Sequence, residues 1–168
     1  MNQNIKIPFV DLYPQYEELQ SEIDLAIRDI ITRSDYITGP TVEKFEQAII
    51  DYTGAEACAS IGSGTNALVC ALKALDIGPG HQVMTVGHTF VSTTEAIVNV
   101  GATPVFVDID EFYHLDVNKM ELTDTLKAIL FVDLYGQTPD IDKILNFAKQ
   151  FNLKVIEDAA QSFGSEYK

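Results

Sequence analysis

Positive charge is scarce in this 168-residue chain. It has 11 lysine and arginine residues against 25 aspartate and glutamate residues, which gives a formal net charge of −14 at pH 7. An acid excess of that size repels a phosphate backbone, so we expect no nucleic-acid partner. Long apolar runs are also missing, because no stretch of the sequence approaches the roughly 20 apolar residues of a membrane span. We therefore expect no association with a membrane.

Cysteine is rare and tryptophan is absent. The two cysteines, Cys58 and Cys70, do not have the spacing of a disulfide framework, a redox motif or a metal site. We expect them to be reduced thiols in the core, and we expect no bound metal. The first residues show no basic head followed by an apolar run, so the sequence predicts no signal peptide and a cytoplasmic location.

The patterning predicts an α/β fold. Nearly half of the residues (46%) are apolar and 21% are charged, which is typical of a globular protein, and the length suits one compact domain. Apolar periodicity and turn residues predict helices over residues 18–33, 41–52, 66–75, 93–100 and 141–151, and strands over 55–61, 82–86, 103–107, 127–132 and 154–156. Alternating strands and helices with short connections imply a parallel sheet.

A glycine-rich turn precedes the helix predicted over residues 66–75. Its sequence is Gly62-Ser63-Gly64-Thr65-Asn66-Ala67. Glycines let backbone N–H groups approach an anion, and a helix start adds a partial positive charge, so the turn is a candidate phosphate site. The alternative is a tight turn in which Ser63 or Thr65 caps the helix.

The same six residues also fit the dinucleotide fingerprint G-x-G-x-x-G/A. That interpretation needs an acidic residue near the end of the next strand to hold a ribose. The next strand ends at Thr85-Val86-Gly87 and has no acid, and two helices precede the motif. We therefore do not favour a dinucleotide site.

Two further strand ends carry candidate ligand-binding residues. Phe90 follows the strand over 82–86 and could stack on a flat cofactor, although a single phenylalanine is often a core residue. His88 beside it is a structural or loop histidine as readily as a base. Asp158 follows the last strand, where a carboxylate needs a cation or donors such as a pyridinium N–H. The alternative for Asp158 is a helix cap or a turn aspartate.

Taken in order, these segments resemble the sugar aminotransferases of the DegT/DnrJ/EryC1/StrS family. The resemblance runs the length of the chain, and its segments are Ile7-Pro8-Phe9-Val10-Asp11-Leu12, Ile37-Thr38-Gly39-Pro40, Gly62-Ser63-Gly64-Thr65-Asn66-Ala67-Leu68, Ile77-Gly78-Pro79-Gly80, Gly101-Ala102-Thr103-Pro104, Leu134-Tyr135-Gly136-Gln137 and Glu157-Asp158-Ala159-Ala160-Gln161. Each segment is weak alone, whereas their order and spacing together are specific.

The resemblance implies pyridoxal 5'-phosphate as the cofactor and assigns roles by position. Asp158 would face the pyridine nitrogen and Gln161 would hydrogen-bond the phenolic oxygen. Phe90 would stack on the ring, and the phosphate would be held by Gly64, Thr65 and Asn66. The family's Schiff-base lysine is expected beyond residue 168, so no catalytic residue is assigned within this chain.

The implied fold is the large domain of the aspartate aminotransferase-like PLP transferases of fold type I, a mostly parallel sheet with helices on both faces. We expect an N-terminal arm and helix over residues 1–36 and an incomplete PLP-binding domain over 37–168. The C-terminal small domain is absent from this sequence, which we therefore expect to be a fragment.

The resemblance also implies a reaction. A nucleotide-linked keto-sugar would receive nitrogen from glutamate, releasing 2-oxoglutarate, in a homodimer that serves amino-sugar and polysaccharide biosynthesis, including O-antigen. Two alternatives stay open: a PLP-dependent sugar dehydratase of the same family, and a non-catalytic truncated paralogue. Two residues depart from the family pattern, Val86 in place of a proline and Asp133 in place of a histidine. The second places a negative charge near the expected cofactor mouth.

Overall fold

A computed structural model describes residues 7–168. The chain forms two compact units, one ending at Ser60 and the other beginning at Ile61. The expected N-terminal arm begins in residues 1–6, which lie outside the described residues, and the expected domain boundary after residue 36 stays a prediction. Within residues 7–168, no helix is both long enough and apolar enough to cross a membrane.

The first unit contains two helices, α1 (Tyr13–Arg33) and α2 (Pro40–Thr53). Each has a proline in its first turn, where the missing N–H costs no hydrogen bond, and each therefore begins earlier than the sequence predicts. Helix α2 ends at Gly54, whose φ of 72° is the left-handed conformation that glycine adopts readily. Neither helix has a buried residue.

The strand predicted over residues 55–61 is wrong. The described chain has no strand there, and most of the segment is exposed. An apolar run becomes a strand only when a neighbour pairs with its backbone. None of the four strands of the described chain pairs with residues 55–61.

The second unit is built around a four-stranded parallel sheet. Its elements in chain order are α3 (Gly64–Ala74), β1 (Gln82–Val86), α4 (Val91–Asn99), β2 (Thr103–Val107), β3 (Leu126–Val132), α5 (Ile141–Phe151) and β4 (Lys154–Asp158). The spatial order is β2-β1-β3-β4, and every pairing is parallel. The predicted elements are confirmed here to within a few residues.

Helices cover both faces of this sheet, and alternate residues of β3 therefore belong to two different cores. Ala128, Leu130 and Val132 join one buried cluster with residues of α3 and α4. Ile129 and Phe131 join a second cluster with residues of α5. A central strand buried on both faces explains the almost continuous apolar run of β3.

The order of the strands creates a crevice at one edge of the sheet. From β1 the chain passes through α4 to β2 on one side, and β3 then returns to the other side of β1. Ligands of open parallel sheets bind at such a reversal, outside the carboxyl ends of the strands. Here that position lies between the ends of β1 and β3.

The two cysteines are free, but the prediction that both lie in the core is wrong. Cys70 is exposed and Cys58 is half-buried. On α3 the buried positions are Leu68 and Leu72, four residues apart on one face. Cys70 lies midway between them in sequence and therefore on the opposite face of the helix.

Leu130 should be among the residues on which the second unit depends most. Its side chain is fully buried in the cluster shared with α3 and α4. We expect Leu130→Ala to lower the free energy of unfolding by about 2–5 kcal/mol, since it removes buried methyl groups and leaves a cavity. Urea denaturation of the complete gene product measures this change.

The matched control is Leu145→Ala on α5, whose side chain is 48% exposed. It should cost less than about 1 kcal/mol. Equal losses for the two leucines would contradict the described core.

Candidate cofactor site

A cavity of about 330 Å³ lies at the carboxyl end of the sheet, within the second unit. Its volume falls in the range of small-molecule sites. It is lined by Gly64, Thr65, Leu68, Thr89, Phe90, Ser92, Val132, Asp158, Ala160 and Gln161. These residues come from the start of α3, the turn after β1, and the ends of β3 and β4, so the cavity occupies the crevice that the strand order creates.

The start of α3 supplies part of the cavity lining. Ser63 caps the helix, its hydroxyl accepting from the N–H of Asn66 at 3.2 Å. Among the described residues, none accepts a hydrogen bond from the N–H groups of Gly64 and Thr65. A Cβ built on Gly64 would meet nothing within 4 Å, so space for a ligand adjoins these donors. Two free N–H groups at a helix start favour an anion.

A pair of hydroxyl groups extends this anion site. The Thr65 hydroxyl donates to Ser92 Oγ at 2.8 Å, and Ser92 lies in the first turn of α4 with only 8% of its surface exposed. Ser92 then has its own proton to donate. Ser92 was not among the residues predicted for the site. The available signal was a run of hydroxyl residues, 92–94, at a helix start that follows a strand end.

Asp158, the last residue of β4, lines the same cavity. Its Oδ1 accepts from the N–H of Ala160 at 3.2 Å, and its Oδ2 accepts from the Thr93 hydroxyl at 3.4 Å. Thr93 is fully buried and shares a hydrogen bond of 3.0 Å with Thr89. These contacts fix the direction of the carboxylate and leave it able to accept a further donor. Thr93 was also missed.

Gln161 is held by the turn that follows β3. Its Oε1 accepts from the N–H of Tyr135 at 2.8 Å, which leaves its amide group available as a donor. Tyr135 has a φ of 60°, an unusual value for a non-glycine residue. The next residue, Gly136, has a φ of 79°, and a Cβ there would approach the Gln161 carbonyl oxygen to 3.2 Å. The two turns therefore pack closely.

Phe90 lines the cavity at the start of α4, with 68% of its side chain exposed. The core alternative for Phe90 is therefore wrong. An exposed ring beside a cavity has a face available for stacking. His88 does not line the cavity; its Nε2 lies 3.4 Å from the Tyr135 hydroxyl and its ring lies 5.4 Å from that of Tyr113.

Asn66 is the one predicted site residue that the structure does not bring into the cavity. It is exposed and absent from the cavity lining. Its N–H is occupied by the Ser63 cap, because Ser63 precedes it by three residues and reaches that donor. The other five predicted residues, Gly64, Thr65, Phe90, Asp158 and Gln161, lie together.

The prediction that Asp133 lies near the mouth of the cofactor site is wrong, because Asp133 does not line the cavity. Its carboxyl is 1% exposed, and one oxygen accepts from the Ser162 hydroxyl at 2.9 Å. Side chains alternate along β3, so Asp133 lies on the face of Phe131, opposite the cavity-lining Val132. Burial raises the pKa of the Asp133 carboxyl.

The donor set fits pyridoxal phosphate. The free backbone N–H groups at the start of α3 and the Ser92 hydroxyl suit a phosphate, and the Asp158 carboxylate suits a protonated ring nitrogen. An exposed aromatic ring and a side-chain amide lie in the same lining. Thr65 and Asp158 line one cavity, as the hypothesis of a single cofactor requires.

Comparison with known proteins gives the family. The model of the DegT/DnrJ/EryC1/StrS aminotransferase family matches residues 17–168. A UDP-2-acetamido-2-deoxy-3-oxo-D-glucuronate aminotransferase of Pseudomonas aeruginosa is 44% identical over 96% of this chain and 46% of its own length. A dTDP-3-amino-3,6-dideoxy-alpha-D-galactopyranose transaminase of Aneurinibacillus thermoaerophilus is 40% identical over 96% of this chain and 45% of its own length. The chain thus spans less than half the length of these relatives.

Solved structures agree with the sequence matches. DesV from S. venezuelae superposes with a TM-score of 0.94 at 38% identity, over 96% of this chain and 44% of that one. The ntda protein from Bacillus subtilis was solved with bound cofactor PMP. It superposes with a TM-score of 0.92 at 32% identity, over 97% of this chain and 39% of that one. The predicted fold type and the predicted cofactor, pyridoxal phosphate, are confirmed. The chain belongs to the DegT/DnrJ/EryC1/StrS aminotransferase family.

Proposed function

We propose that the complete gene product transfers an amino group from glutamate to the keto group of a nucleotide-linked sugar. The observation that carries this proposal is that the start of α3 and Asp158 line the same cavity. Family membership supports it, as do the names of the relatives, which act on UDP- and dTDP-linked sugars. These relatives are aminotransferases and do not favour the dehydratase alternative.

In this proposal the start of α3 binds the cofactor phosphate. The N–H groups of Gly64 and Thr65 donate to phosphate oxygens, and the partial positive charge of the helix favours the anion. Ser92 orients the Thr65 hydroxyl and adds a donor of its own. Asn66 does not line the cavity and its N–H is bonded to Ser63, so we do not include it in the phosphate site.

Asp158 and Gln161 act at the ring. Bound pyridoxal phosphate supplies an electron sink for the carbanion of transamination. The Asp158 carboxylate holds a proton on the pyridine nitrogen, since an ionised acceptor stabilises a cationic donor. Gln161 donates its amide to the phenolic oxygen, and Phe90 covers one ring face and excludes water from it.

Other parts of the account remain predictions. They are the Schiff-base lysine outside this chain, the homodimer, the cytoplasmic location, and the place of the product in polysaccharide or O-antigen biosynthesis. The non-catalytic alternative also remains, because the chain spans under half of its relatives' length.

The first test removes the partner of the ring nitrogen. Asp158→Ala in the complete gene product should weaken PLP binding by about 10- to 100-fold, the scale of a lost charge-assisted hydrogen bond. Transamination with glutamate should fall by roughly 100-fold or more. Absorbance titration with PLP measures the binding, and release of 2-oxoglutarate measures the turnover.

The control is Asp142→Asn, which changes an exposed carboxylate on α5, whose buried residues pack on the other face of the sheet. It should leave PLP binding unchanged. Parental binding and turnover in Asp158→Ala would remove this aspartate from the mechanism.

A second test separates the two roles of Gln161. Gln161→Glu keeps an oxygen that accepts from the Tyr135 N–H but has no amide donor, whereas Gln161→Ala loses both. Both variants should weaken PLP binding by about tenfold. Only Gln161→Ala should leave the Tyr135 N–H without its acceptor and lower the melting temperature clearly, as thermal denaturation without cofactor would reveal. Unaltered PLP affinity in Gln161→Glu would exclude the amide as a cofactor donor.

A further inference from the structure

The turns that follow β3 and β4 are tied together at Asp133. Its N–H donates to the carbonyl oxygen of Asp158 at 3.1 Å, and its Oδ2 accepts from the Ser162 hydroxyl at 2.9 Å. Asp158 and Ser162 bracket the segment that carries Gln161. The position of Asp133 therefore controls the segment that presents both ring-binding residues.

One oxygen of Asp133 lacks a donor. Among the described residues, no group donates to Asp133 Oδ1, although that atom is fully buried. The neighbouring side chain that interacts with the Asp133 carboxyl is another carboxyl, Glu157 of β4. Phe131 pairs with Glu157 in the sheet, so Asp133 and Glu157 lie on the same face. Two ionised carboxylates cannot satisfy each other, whereas a proton on one of them supplies the missing donor.

Among residues 7–168, the groups that act on the Asp133 carboxyl are Glu157, Asp158 and the Ser162 hydroxyl, and none of these is a cation. Buried apolar residues of α5 and β1 pack on this face, among them Ile144, Met84 and Val86. Asp133 is buried whereas Glu157 is exposed, so the cost falls on Asp133. A buried negative charge that has a second negative charge beside it and no cation is costly, and one proton kept by the pair relieves that cost.

We propose that Asp133 and Glu157 share one proton, and that this acid–carboxylate pair positions the segment carrying Asp158 and Gln161. The pair acts through the backbone and does not itself contact the cofactor, so Asp133 and Glu157 are positioning residues. This role rests on the proposed function, but the sharing of the proton does not.

The proton links the pair to pH. Loss of hydration and, after it, the adjacent Asp133 carboxylate together raise the pKa of Glu157 from 4.5 to about 7. A carboxyl whose pKa is higher in the folded state binds more protons folded than unfolded between these two values. Its contribution to stability is thus complete below the unfolded value and is lost as the pH rises through about 7. The two groups titrate as a pair.

The test measures melting temperature without cofactor from roughly pH 5 to roughly pH 9, using the complete gene product. The unmodified protein should lose several degrees across neutral pH. Asp133→Asn and Glu157→Gln each place a permanent amide donor against the remaining carboxylate, so each should flatten that loss and melt higher than the unmodified protein at alkaline pH. The control, Glu121→Gln, changes an exposed carboxyl and should keep the unmodified slope.

Infrared spectroscopy reports the proton directly. A protonated carboxyl band should disappear near neutral pH in the unmodified protein and be missing at that pH from Glu157→Gln. The effect on the segment appears in PLP binding, where the dissociation constant should rise several-fold more with pH in the unmodified protein than in Asp133→Asn.

Equal pH slopes in the unmodified protein and both amide variants, with no such band, would overturn the shared proton. If the band and slopes behave as expected but PLP affinity follows the same pH course in all variants, the positioning role is wrong. Failure of every variant and of the parent to bind PLP would instead contradict the proposed function.

Discussion

The structure depends on one property of parallel sheets: all their strands end at the same edge. In the order β2-β1-β3-β4 the chain reverses between β1 and β3, so the connections on either side diverge and leave a crevice. Residues far apart in sequence, from Gly64 to Gln161, reach that crevice because each follows a strand or begins a helix. The two apolar clusters that cover the faces of the sheet hold this edge in place.

The cavity lining carries groups of opposite charge preference. The positive start of α3 and the Ser92 hydroxyl favour an anion, while the Asp158 carboxylate favours a cationic donor. A ligand that carries both a phosphate and a protonated nitrogen matches this pair of preferences. The turn after β3 supports the acidic part of the lining, since Tyr135 and Asp133 hold the segment that contains Gln161.

Much of this arrangement could be predicted from the sequence, because glycine turns, apolar periodicity and strand ends are local signals. The phosphate turn, Phe90 and Asp158 carried such signals. The N–H of Asn66 is taken by a local contact, the Ser63 cap three residues before it. Two features depended on tertiary contacts instead. The run over 55–61 lacks a pairing partner in the described chain. The roles of Ser92 and Thr93 follow from hydrogen bonds to residues 27 and 65 positions away.

We propose that one cofactor spans this cavity from α3 to β4, and a crystal structure of the complete gene product with pyridoxal phosphate would show its position. We expect phosphate oxygens within hydrogen-bond distance of the Gly64 and Thr65 N–H groups, and the ring nitrogen within hydrogen-bond distance of Asp158. A cofactor bound elsewhere, or bound here with its phosphate beside Asp158, would contradict it.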